Sequence, residues 1–501
     1  MPLYDGTKEP EPTYIAETAA PMGRKEVVAG YGWNALFTLI GKLILPPLLQ
    51  IFFYRRLGPE EIGVYAVLIP IYMICETLRD AGLALTFVAD READDKREGE
   101  YASLSILNSI VFAAVVFFLR DPLAEAFHLP QLHWGLTMVA VAILLTGIST
   151  IPANKLQKKA RFRDAGLIDL ISTVASFAIA FVLVLLGFGY KALVWQFIAR
   201  SLLFTWGCIA LEPVRLNWVH KDVLSAIWKR AGANLINNIL FTFYTVADNL
   251  LISKLFGRAA IGYYNAAYTF GTKPIDFFTV PLGRTLLIAY TRKSDDLRSL
   301  SNIFSRTVAA SVLLMVPLYV LIGFFARPLI LFLLGDKYGD AAPILTLLAI
   351  YCGCRSVGSL CGNVLVAMNK PIYNVYGWLL AYATVGAVLW WKWPQLRLLD
   401  VVAALAAGAA VVYCVNGIAA FTILKPNPSD RAKIAKAFGL AGFASGLVIL
   451  IALLPINASA SLGLALIVVP VIHLSAVSAA FGPGSLAWLS GNGRKAIWES
   501  L

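Results

Sequence analysis

The chain reads as about fourteen runs of roughly twenty apolar residues joined by short polar loops, and that pattern leaves little choice of fold. In hydrocarbon each backbone N–H and C=O must be satisfied within its own segment, so runs of this length form helices. Their limits are near 31–54, 63–88, 102–119, 134–153, 165–187, 192–211, 232–253, 260–290, 304–325, 342–368, 372–391, 399–424, 438–456 and 462–482. Of the 501 residues only 14% are charged, where a soluble domain carries about 25%. The expected fold class is all-α, a polytopic membrane protein. No loop is long enough to hold a soluble catalytic domain.

An even count of spans puts both termini on one side. Tail and loop Lys and Arg number 25 on that side and 10 on the other, which predicts that the termini are cytosolic. The strongest anchors are Lys155 through Arg163, Arg215 through Arg230 and Lys425 through Lys436. Residues 1–27 read as a polar cytosolic tail rather than a secretory signal. The net charge of +12 lies in loops between apolar runs, so it fits anionic lipid headgroups and not nucleic acid.

Seven cations nevertheless fall inside the spans: Lys42, Arg79, Arg200, Lys273, Arg284, Arg306 and Arg355. Unpaired near the bilayer centre they would cost on the order of 20 kcal/mol together, so they line a wet interior, meet acids, or hold an anion. Glu76, Arg79 and Asp80 lie within one turn and can neutralise one another, and Lys273 and Asp276 are spaced i, i+3. Arg306 is close enough to a loop to snorkel. Lys42, Arg200 and Arg355 have no acid within four residues, and each needs a partner from another helix, water or a ligand. Asp248, beside Asn249 in the seventh run, is either such a partner or a proton or Na⁺ site; Asp276 is the second candidate for that role.

Other motifs carry little chemistry. No Walker A sequence is present, so ATP hydrolysis by these residues is not expected. Asp94-Asp95 lies in a solvated charged run, and His473 stands alone in the last span. The six cysteines fall in apolar runs and read as buried packing residues rather than disulfides or metal ligands. No metal site and no cofactor is expected.

An internal echo appears at an offset of 199 residues: Leu57-Gly-Pro-Glu-Glu-Ile-Gly-Val-Tyr65 against Phe256-Gly-Arg-Ala-Ala-Ile-Gly-Tyr-Tyr264. Each stretch joins the first span of a six-span block to its second. The expected organisation is a tail over 1–27, an N-terminal lobe over 28–212, a basic linker over 213–230, a C-terminal lobe over 231–424, and two further helices with a cytosolic end over 425–501. Pseudo-repeated lobes with a site between them are a common transporter plan.

Several segments together resemble a known family. They are Asp248-Asn-Leu-Leu-Ile-Ser-Lys-Leu-Phe-Gly257, Ile261-Gly-Tyr-Tyr-Asn-Ala-Ala-Tyr268, Pro281-Leu-Gly-Arg284, Leu57 through Tyr65 with Asp80-Ala-Gly-Leu83, and Leu334 through Pro343 with Met368-Asn-Lys-Pro371. The chain is similar to the polysaccharide transporter family, the Wzx-type lipid-linked oligosaccharide flippases of the multidrug/oligosaccharidyl-lipid/polysaccharide exporter superfamily. The resemblance implies a polyprenyl-diphosphate oligosaccharide as substrate, moved from the cytosolic to the periplasmic leaflet of a bacterial inner membrane. It further implies a cationic cavity, for which Lys42, Arg200, Arg355, Arg284 and Lys273 are the candidates. Membrane lipids, and a polysaccharide polymerase with its chain-length machinery, are the partners it suggests. A peptidoglycan-precursor flippase or drug antiporter of the same superfamily is the alternative. A membrane polymerase or glycosyltransferase fits less well, because the outer loops hold too few acids, arginines and histidines.

Overall fold

The computed structural model describes residues 45–90, 94–159, 161–292, 296–368, 370–454 and 457–481. Among these residues every regular element is helical. Helices α1 (Leu45–Arg56), α2 (Pro59–Asp80), α3 (Leu83–Ala89), α4 (Asp95–Ala126), α5 (Leu132–Lys158), α6 (Phe162–Leu185) and α7 (Tyr190–Leu211) form the first half. The second half holds α8 (Lys221–Gly271), a π-helical turn (Ile275–Thr279), α9 (Val280–Arg292), α10 (Leu297–Phe324), α11 (Ala326–Leu334), α12 (Ala341–Ala367), α13 (Ile372–Lys392) and α14 (Leu398–Leu424). Helices α15 (Pro428–Ala452) and α16 (Ala458–Phe481) follow.

Eleven helical segments among the described residues are long and apolar enough to cross a membrane. One of them, residues 238–287, covers most of two of the expected runs, joined at Gly257, whose φ of 79° breaks the helical path. Outward-facing Phe118 and Trp206, each more than 70% exposed, lie on helices long and apolar enough to cross a membrane, where lipid rather than water would meet them.

The second run differs from expectation. It is two helices, because Ala81 and Gly82 adopt left-handed backbone at φ 45° and 81°. Asp80 caps the new helix start, accepting from the amides of Gly82 and Ala84 at 3.2 Å each. The ion pair of Arg79 is with Glu76, and Asp80 makes none with it. Hydropathy alone could not see this, since the turn residues are themselves apolar. The cysteines are all free, and Cys414 is exposed rather than buried, a small residue on the outer face of α14.

The end of the bundle where α2 stops and α4 starts is tied by charge. Lys155 pairs with Glu98, both nearly buried, and Lys158 donates to the carbonyl of Asp90 at 2.7 Å. Glu212, just past α7, accepts from Lys159 at 2.7 Å and Arg161 at 2.8 Å. Burial pushes the Glu212 carboxyl up, but those two cations outweigh it and hold the group below the ordinary carboxylate value. The tie is thus present at neutral pH and is lost only as pH falls through that lowered value. The extended segment 213–220 docks here: the Asn217 amide lies on Ser103 Oγ at 3.1 Å, and His220 Nδ1 lies 2.8 Å from Glu100.

Candidate functional site

Among the described residues, a group of polar side chains built around arginine lies inside the spans of each half. In the first half Arg79 is 2% exposed and fully engaged: Nε and Nη2 donate to Glu76, Nη1 to Ser105 at 3.1 Å, and Nη2 also to Thr150 at 3.1 Å. It is a structural tie between α2, α4 and α5. Arg200, on α7, finds its partner on α6, donating through Nη2 to Asp169 at 2.8 Å and through Nε to Thr173 at 3.3 Å. Tyr65 and Tyr72 of α2 lie within electrostatic reach of it.

The second cluster centres on Arg355 of α12. Its Nη1 donates to the hydroxyls of Tyr268 at 3.1 Å and Tyr351 at 3.3 Å, and its Nε and Nη2 have no hydrogen-bond partner among the described residues. No carboxylate among those residues comes within ion-pair distance (4.0 Å) of it. Helix spacing explains the frame. Tyr351 precedes Arg355 by one turn on the same face, and Tyr264 precedes Tyr268 likewise on α8. The Tyr264 and Tyr268 rings lie 5.9 Å apart, and those of Tyr268 and Tyr351 6.4 Å apart. Tyr413 of α14 and Tyr244 of α8 complete the ring of phenols within electrostatic reach of the guanidinium.

Asp248 sits at the edge of this ring, 6% exposed, accepting from the Tyr264 hydroxyl and from its neighbour's backbone amide (Asn249 N) at 2.7 Å. It is within reach of the charge on Arg355 without touching it. Asp276, on the π-helical turn, is in reach of both Lys273 and Arg355. The expected i, i+3 contact between Lys273 and Asp276 is not closed to ion-pair distance, because the Pro274 and π-helical geometry alter the spacing.

The structure therefore brings Arg355, Asp248, Asp276 and Lys273 into one neighbourhood and leaves Arg200 in the other cluster, already paired. Lys42 lies outside the described residues, as does the side chain of Arg284, whose backbone belongs to α9. Arg306 is exposed on α10. Sequence reading missed the tyrosines that frame Arg355. Their signal was the i, i+4 spacing of Tyr264 with Tyr268 and of Tyr351 with Arg355. Among the described residues no group of three or more His, Cys, Asp or Glu is placed to hold a metal ion.

Two clusters of intramembrane polar residues, each inside its own half of a helical bundle, define a polytopic transporter-type fold. The lipid II flippase MurJ in its inward closed conformation shares that fold with a TM-score of 0.73, over 91% of this chain and 99% of that one, at 13% identity. A model described as polysaccharide biosynthesis protein matches residues 53–343, and the chain belongs to that family. The succinoglycan biosynthesis transport protein ExoT of Rhizobium meliloti (strain 1021) is 25% identical over 391 residues, 77% of this chain and 75% of its own. The lipopolysaccharide biosynthesis protein WzxC of Escherichia coli (strain K12) is 22% identical over 359 residues, 69% of this chain and 71% of its own. The chain is accordingly a multi-pass membrane protein of transporter type and not an enzyme.

Proposed function

We propose that this chain carries polyprenyl-diphosphate-linked oligosaccharide units from the cytosolic to the periplasmic leaflet of a bacterial inner membrane, by alternating access between lobes at 28–212 and 231–424. One observation carries the reading: Arg355 stands inside the bundle, steadied by two tyrosine hydroxyls, and among the described residues its Nε and Nη2 have no partner and no carboxylate lies within ion-pair distance. A planar guanidinium with free donors suits two oxygens of a diphosphate at once. The polyprenyl tail can stay in lipid while the head group crosses about 30 Å of hydrocarbon along a polar path. Arg200 is the second candidate contact, provided the diphosphate competes with Asp169. Lys273, Lys42 and Arg284 are weaker members. A polymerase and chain-length machinery would take the product.

The test is a count of lipid-linked units by leaflet. In cells lacking the chain, the oligosaccharide lipid should accumulate where periplasmic glycosidase or lectin cannot reach it. Units that stay fully accessible without the chain would sink the proposal.

The charge bias of the loops supports cytosolic termini, with loop 154–164 inside and loop 327–341 outside. Membrane-impermeant thiol labelling of single cysteines placed in each loop checks this. Labelling of 154–164 in intact spheroplasts would reverse the orientation.

Coupling to an ion gradient would fall to Asp248 ahead of Asp276, since Asp248 is the more buried; neither pairs with a cation within 4.0 Å among the described residues. One charge moved through 100 mV supplies about 2.3 kcal/mol. Asp248→Asn should leave the protein folded while transport in proteoliposomes stops responding to an imposed H⁺ or Na⁺ gradient. A variant still driven by the gradient would remove Asp248 from that role.

A further inference from the structure

The short sequence echo becomes a set of paired contacts at one end of the bundle. Gly63 of α2 packs on the carbonyl of Arg258, and Gly262 of α8 packs on the carbonyl of Pro59. Positions 63 and 262, and 59 and 258, are each 199 residues apart, so the contact is reciprocal, as across a two-fold axis. A second pair of contacts repeats at its donors but not at its acceptors. Arg55, at the end of α1, donates to the carbonyls of Leu333 (2.9 Å) and Phe332 in the last turn of α11. Lys254, again 199 residues on, donates to the carbonyl of Ala126, the last residue of α4. Each half thus offers a cation to helix-end carbonyls that have no partner inside their own helix.

The remaining contacts are not symmetric but lie at the same end. Glu60 and Arg258 form an ion pair at 2.6 Å, Tyr54 donates to Asn265 at 2.6 Å, and Tyr338 donates to the carbonyl of Leu57 at 3.2 Å. All of them join one half to the other. This end is opposite the docked segment 213–220: α2 runs from Pro59 here to Asp80 there, and α4 runs back from Asp95 to Ala126.

We propose that Arg55–Gly63 and Lys254–Gly262 form a two-fold-related latch that holds this end shut and must open once in each transport cycle. The duplicated sequence sets the latch, because glycines at both copies let the backbones touch and cations at both copies reach across. Release on one side strips the neighbouring contact of its support, so the two arms open together. The inference rests on the transport reading above.

The test uses the full-length chain with Glu60→Cys and Arg258→Cys, joined by a short bis-methanethiosulfonate linker that a reductant cleaves. Each single-cysteine variant, treated alike, controls for the native cysteines. Linking should stop export and reductant should restore it. Normal export by the linked protein would overturn the latch while leaving transport intact, and failure of any link to form would overturn the juxtaposition itself. If the double variant does not reach the membrane, the charge swap Glu60→Arg with Arg258→Glu takes its place. Export should fall with either single reversal and recover in the swap; equal loss in all three would overturn the ion pair's part. Absence of export by the unmodified chain would instead count against the transport reading.

Discussion

Replacing Arg355 with Gln should cut polysaccharide export by about 10- to 100-fold while the protein stays at normal abundance in the membrane. The range follows from a charge-assisted hydrogen bond worth about 1.5–3 kcal/mol, at 1.4 kcal/mol for each factor of ten. Gln can still donate to Tyr268 or Tyr351, so the tyrosine frame keeps a partner and the fold has no reason to fail. Arg355→Lys should recover only part of the loss, because an ammonium keeps the charge but not the planar fork. Tyr351→Phe should cost less than either, since it removes one of two orienting contacts and leaves the charge in place. The measurement is export per unit of membrane protein, with immunoblotting for abundance and a thermal melt in detergent for the fold. Arg355→Gln exporting within two-fold of the parent would end the diphosphate role. A variant that disappears from the membrane would make Arg355 a structural residue.

Much of this was readable before any coordinates, for a physical reason. A span needs length and hydropathy, and both are local properties, so the described parts of the runs are helical apart from the break in the second and the π-helical turn in the eighth. The break at Ala81–Gly82 was hidden because backbone handedness is not written in hydropathy, although Asp80 followed by Ala and Gly carries a turn signal. Partnerships across helices were hidden more deeply. Arg200 and Asp169 are 31 residues apart, and Arg355 meets Tyr268 across 87. Nothing in either local sequence says that they meet. Counting acids within four residues leaves both arginines without partners, and the structure separates them: Arg200 has a carboxylate, and among the described residues Arg355 bonds only phenols. The contact between halves is long-range too, yet it was partly legible, because duplication writes the same local pattern twice.

Alanine at Gly63 or at Gly262 should weaken the contact between the halves, and the two substitutions should do so by similar amounts. A Cβ at Gly63 would sit 1.8 Å from the carbonyl oxygen of Arg258, and one at Gly262 would sit 1.9 Å from that of Pro59. The obstacle is backbone in both cases, so no side chain can rotate aside and α2 must draw away from α8. Overpacking typically costs about 1–3 kcal/mol, and a clash with main chain belongs at the upper end. The two sites share one interface, so the double variant should fall short of the sum of the singles, since the first alanine already opens the gap that the second needs. Gly58→Ala is the internal control: it lies in the same echo, but a Cβ there meets nothing within 4 Å and φ is −81°. Thermal melts of the purified protein followed by size-exclusion chromatography should therefore show Gly63→Ala and Gly262→Ala melting lower than the parent and Gly58→Ala unchanged. Equal melting for all three would mean that the halves do not touch at these glycines. A loss at only one of the pair would remove the two-fold relation between them.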